Sequence, residues 1–97
     1  MPTYVVLLRF TQQGVSTIKD GPNRLDAAKA AMKAAGGEIK AWYLTMGRCD
    51  AVLVAEAPDD TTLAKVLLAT AAQGNVQTET LRAFTEDEYR AIIAGLP

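Results

Sequence analysis

Residues 46–60 read MGRCDAVLVAEAPDD, and the reading of this stretch decides the fold. Gly47-Arg48 has the form of a two-residue hairpin loop with glycine first, as a type II′ turn requires. The turn predicts two strands, EIKAWYLTM (38–46) and CDAVLVAE (49–56), with Met46 opposite Cys49, Thr45 opposite Asp50, Tyr43 opposite Val52 and Trp42 opposite Leu53. Pro58-Asp59-Asp60 then opens a helix, where an acid near the N-cap offsets the positive end of the helix dipole. Its buried face is Leu63, Val66, Leu67 and Thr70 or Ala71, and Gly74 closes it.

Outward from this hairpin the pattern repeats. TYVVLLRF (3–10) is an apolar run with β-branched and aromatic residues, which suits a central strand covered on both faces. TQQGVSTIKDGP follows as a loop holding one helical turn that ends at Gly21-Pro22. From Asn23, Leu25, Ala28, Met32 and Ala35 share one helical face, and Gly36-Gly37 stops the helix because glycine takes the left-handed cap at little cost. VQTETLRAF (76–84) alternates as a fourth strand. Thr85 to Glu88 matches the capping box, so a terminal helix carries Tyr89, Ile92, Ile93 and Leu96.

The order β-α-β-β-α-β plus a helix predicts an α+β, ferredoxin-like domain over 1–97, with an antiparallel sheet ordered 4-1-3-2. Right-handed crossovers send both long helices to one face. The first and third strands are apolar on both sides, so the other face needs a cover, and a second copy of the same sheet supplies one. Burying about 500 Å² of that face per subunit is worth on the order of 10 kcal/mol before association costs.

Composition limits the chemistry. The chain has 97 residues, 49% of them apolar, a net charge of −1, one cysteine and no histidine. Without histidine there is no usual Ser-His or Cys-His activation and no His-ligated zinc or haem, so no metal or redox cofactor is expected. Near-neutral, interleaved charge gives no stripe for nucleic acid. No apolar run approaches the roughly 20 residues of a membrane span, and MPTYVVLLRF has no signal-peptide character. A lone cysteine fits a reducing cytoplasm.

The MGRCDAVLVAEAPDD run, with FTQQG upstream and GNVQTETLRAF downstream, resembles the GYD family over residues 3 to 90. The family's namesake signature falls on Gly47, Cys49 and Asp50, with Arg48 at the variable place and Cys49 where the family has tyrosine. The resemblance implies a dimeric α/β-barrel form of the ferredoxin-like fold and carries no settled activity. More distant relatives of that barrel include cofactor-free monooxygenases, muconolactone isomerases and haem-degrading enzymes.

Four residues are candidates for binding a small anionic ligand: Arg9, Tyr43, Asp50 and Lys19. Arg9 and Asp50 should meet where the first strand ends and the third begins, either as a structural pair or as the polar end of a pocket, since a guanidinium fork suits a carboxylate. Tyr43 shares that face, and Lys19 lies in the loop before Gly21-Pro22, either solvated or closing over an anion. Cys49 should point the other way, towards the helices, as a small hydrophobe. Trp42 should pack in the core. Glu56, Asp59 and Asp60 could suggest a metal site, but two of them begin a helix and dipole compensation explains them better. Glu79 and Arg82 read as interface or edge charges. Three functions follow: a small-molecule-binding or accessory module that is a homodimer or a higher oligomer; a cofactor-free isomerase- or monooxygenase-like enzyme acting on a small organic acid or quinone-like substrate, with Arg9 binding an anion and Asp50 moving a proton; or a structural assembly protein.

Overall fold

The computed structural model describes residues 1–97. The strands are β1 (Thr3–Phe10), β2 (Glu38–Leu44), β3 (Ala51–Glu56) and β4 (Val76–Ala83). They form one sheet ordered β2-β3-β1-β4, with all neighbours antiparallel. The helices are α1 (Gln12–Ser16), α2 (Gly21–Ala34), α3 (Asp60–Ala72) and α4 (Glu86–Ala94), and a single 3-10 turn spans Ile18–Asp20. This is the ferredoxin-like βαββαβ architecture with a C-terminal helix.

Local chemistry explains each boundary. Gly36 lies at φ 89° and Gly37 N–H reaches back to Met32 C=O at 2.9 Å, the six-to-one bond that closes α2. The Asp59 carboxylate accepts Thr62 N–H at 2.8 Å to start α3. Thr85 and Glu88 exchange both bonds of the capping box. Gly21-Pro22 departs from expectation: it opens α2, with proline in the first turn, where a missing N–H costs nothing. The preceding segment is already helical as α1, because Thr11 caps it by accepting Gly14 N–H at 3.1 Å.

Alternation divides the sheet into two faces. Tyr4, Val6, Leu8, Ala51, Leu53 and Ala55 turn towards α2 and α3 and form the buried core with Met32, Ala57 and Leu63. Trp42 packs against that core from β2, as expected. The other face carries Val5, Leu7, Val52 and Val54, all half-buried, and the exposed Leu81. No helix of this chain covers it.

The hairpin register agrees with the sequence pattern, with Trp42 opposite Leu53 and Tyr43 opposite Val52. The turn does not. Strand pairing ends at Leu44–Ala51, and the connection widens to residues 45–50, closed by Thr45 N–H to Asp50 C=O at 2.9 Å and by the Thr45 hydroxyl to Cys49 C=O at 2.7 Å. With its carbonyl taken by a side chain, Cys49 joins no ladder, and the two-residue loop gives way to an open one.

Candidate functional site

The three sequence motifs meet at one end of the sheet, where β1 ends and β3 and β4 begin. FTQQG and the Gly74-Asn75 pair are stitched together there. Thr11 donates its hydroxyl to Gly74 C=O at 2.6 Å and its N–H to Asn75 C=O at 3.1 Å. Gln13 Nε2 donates to Gln73 C=O at 2.9 Å and to Asn75 Oδ1 at 3.1 Å. Gly14 sits so close that a Cβ there would lie 2.2 Å from the Asn75 carbonyl oxygen. The sequence singled out these runs without showing that they touch, since the bonded partners stand about sixty positions apart.

The Cys-Asp pair completes this end. Asp50 donates its N–H to Leu8 C=O at 2.8 Å, and its carboxylate accepts Phe10 N–H at 2.8 Å. The expected Arg9–Asp50 ion pair does not form; Arg9 is exposed and joins no ion pair. Asp50 stands just before β3, beside the end of β1, but its carboxylate is occupied by the β1 backbone. Cys49 also departs from its expected place. It lines a shallow depression of about 250 Å³ with Leu7, Arg9, Gln77 and Glu79, on the face away from the helices. Alternation starts at Ala51, so it does not govern residue 49.

The other candidates stand apart. Tyr43 projects from β2 and is 62% exposed. Lys19 lies exposed in the 3-10 turn before α2. Neither borders the depression around Arg9. The acids of residues 56–60 each have a structural partner: Glu56 meets Lys40 Nζ at 3.7 Å, Asp59 caps α3, and Asp60 accepts the Tyr4 hydroxyl. That last bond is the largest cause holding the Tyr4 phenol above its ordinary pKa of 10.0, with burial second. Arg82 stacks over the rings of Phe84 and Tyr4, at 4.5 and 5.7 Å from their centroids, at the edge of the sheet. No helix is long and apolar enough to cross a membrane.

Two apolar surfaces remain uncovered. One is the β-sheet face already described. The other is the stripe Tyr89, Ile92, Ile93 and Leu96 along α4 and its end, each 48–61% exposed. The chain measures 52 × 31 × 18 Å, with a radius of gyration of 14.6 Å against about 12.5 Å for a compact chain of this length.

Comparison with known proteins is consistent with these motifs. The GYD domain pattern matches residues 4–93. The chain is 36% identical over 84 residues to the glutamine synthetase and cystathionine beta-lyase binding protein of Thermus thermophilus, covering 86% of this chain and 88% of that one. The crystal structure of TTHA0845, also from Thermus thermophilus, superposes with a TM-score of 0.55 at 26% identity, over 88% of this chain and 95% of that one. A feast or famine regulatory protein from M. tuberculosis gives 0.63 at 21% identity, over 90% of this chain and 54% of that one, a likeness of fold alone.

Proposed function

The chain belongs to the GYD domain family, and from that premise we propose that it is a homodimeric accessory protein that docks on other enzymes and turns over no substrate itself. The observation that carries this reading is the 36% identity, over most of both chains, to a protein named for binding glutamine synthetase and cystathionine beta-lyase. Enzymes of those two kinds are the first partners to test.

The surfaces support it. A sheet face with a central apolar row of Val5, Leu7, Val52 and Val54 suits a second copy, and stable pairing needs about 800 Å² from each partner. The α4 stripe and the fully exposed Met46 on the hairpin loop give the dimer apolar ground for a different protein, since exposed apolar patches of this kind mark docking sites. Of the four candidate ligand residues, this reading keeps Arg9, whose unpaired guanidinium would meet an anionic group beside the sheet face. Turnover would need Arg9, Tyr43 and Asp50 to converge, and Asp50 is engaged by the β1 backbone. The lone thiol suits the cytoplasm.

Sedimentation velocity of the protein mixed with glutamine synthetase, and separately with cystathionine beta-lyase, from the same source tests the proposal. A co-sedimenting complex at micromolar concentration with either enzyme is the expected result. Independent sedimentation with both would overturn the enzyme-docking half, and a monomer at that concentration would overturn the dimer.

A further inference from the structure

Between the helix layer and the sheet lies an apolar cavity of about 650 Å³, within the roughly 300–1,000 Å³ range of small-molecule sites. Its origin is visible in the residues. The part of α2 that overlies it presents Ala27, Ala28 and Ala31, with only Leu25 and Met32 as large apolar side chains. Opposite, the sheet lines it with Val6, Leu8, Ile39, Trp42 and Leu53. The alanines of the helix layer leave a gap that the larger side chains of the sheet do not fill. Trp42 forms part of the wall, and Ile18 and Leu44 border the space while remaining 44% and 69% exposed, so it opens to solvent beside them.

Charge at the cavity is one-sided. Although the chain has 11 acids and 10 bases, the charged residues bordering the cavity are Arg24 and Lys65, both cationic. Neither joins an ion pair. Arg24 donates only to neutral oxygens, at 3.1 Å to Thr17 C=O and 3.2 Å to Gly14 C=O, which fix the guanidinium without cancelling its charge. We infer that this cavity is a binding site for a small amphipathic anion, an apolar aliphatic or aromatic body carrying a carboxylate or sulfonate, with the body against Trp42 and the head at Arg24. The site lies on the helix side of the sheet, away from the face proposed to pair, so it adds a ligand to the accessory function without depending on it.

The chain's one tryptophan supplies the readout. Anilinonaphthalene sulfonate has the required chemistry and accepts energy from tryptophan, so titrating it into the intact protein should give saturable transfer from Trp42 at one probe per chain. Decanoate should compete and decanol should compete far less. Ala28→Leu, filling the cavity from α2, and Thr78→Leu, filling it from β4, should each abolish the transfer while circular dichroism shows an unchanged fold. If one of them does not fold, the other decides. Arg24→Gln should remove the preference for decanoate over decanol. Ile92→Asp and Leu81→Asp, which alter the uncovered surfaces, should leave transfer intact. Transfer that survives cavity filling, that disappears only with the surface variants, or that never saturates would overturn the site. Equal competition by decanol would overturn the anionic head.

Discussion

The carboxylate of Asp50 accepts the backbone N–H of Phe10 at 2.8 Å, across the junction between β3 and β1. The bond carries the pairing past the last paired residues, Leu8 and Ala51, with a side-chain oxygen in place of a backbone carbonyl. A half-buried, charge-assisted bond of this kind contributes about 1.5–3 kcal/mol. Asp50→Ala should therefore lower unfolding stability by about that amount in urea melts. Arg9→Ala should stay within about 0.5 kcal/mol, as expected for an exposed residue with no partner. A comparable loss from both substitutions would restore the ion-pair reading.

Gly14 makes a sharper structural claim. Its added Cβ would meet the Asn75 carbonyl oxygen, which Thr11 N–H already holds in place. The obstacle is backbone, so nothing flexible can move aside. Gly14→Ala should cost about 1–3 kcal/mol, the usual range for overpacking. The adjacent Gln13→Ala, which removes exposed hydrogen bonds only, should cost less. Thermal melts of the two variants in that order support the joint, and the reverse order counts against it.

These two sites mark what the sequence could show. The run 3–10 and the alternation around Leu53 specify strands, faces and register, because period-two burial depends on neighbouring residues. The face of α2 was legible as Leu25, Ala28, Met32 and Ala35, but the gap left by its alanines depends on what stands opposite. The widened loop was hidden because the Thr45 hydroxyl competes for a carbonyl, a local bond that turn chemistry alone does not indicate. The Gly21-Pro22 pair is equally compatible with ending one helix or opening the next, and Thr11 capping α1 decides it. The bond from Asp50 to Phe10 spans forty residues; strand adjacency and opposite charge pointed to the neighbouring Arg9 instead.

Stability should fall at both ends of the pH scale for identifiable reasons. Backbone N–H groups of Thr62 and Thr85 hold the Asp59 and Glu88 carboxyls below their ordinary values of 3.8 and 4.5. A depressed folded pKa gives stability that is present above the ordinary value and lost as pH falls through the folded one. Asp59→Asn and Glu88→Gln should flatten the decline in melting temperature below about pH 4.5. The Tyr4 phenol is shifted upward, chiefly by its bond to Asp60, so its contribution is present below pH 10.0 and lost as pH rises through the higher folded value. Ultraviolet titration should show one of the three tyrosines ionising late, and Tyr4→Phe should remove that phase. A late phase that persists in Tyr4→Phe would assign it elsewhere.

The proposed dimer depends on the sheet face being dry. Val54 stands opposite Val5 at its centre and is half-buried in the single chain. In the free chain a lysine there can extend its head into water along an apolar stem, so Val54→Lys should change monomer stability little. In the pair the same ammonium would be enclosed between two apolar sheets with no carboxylate in the central row. An unpaired buried charge costs about 3–5 kcal/mol, which raises the dissociation constant by roughly a hundredfold or more. Leu68→Lys, on α3 and 70% exposed, supplies the control for a charge added elsewhere. Sedimentation equilibrium should find Val54→Lys monomeric at concentrations where the wild type and Leu68→Lys are dimeric. Equal dissociation constants for all three would mean that the sheet face remains wet and that the copies, if they associate, do so through another surface.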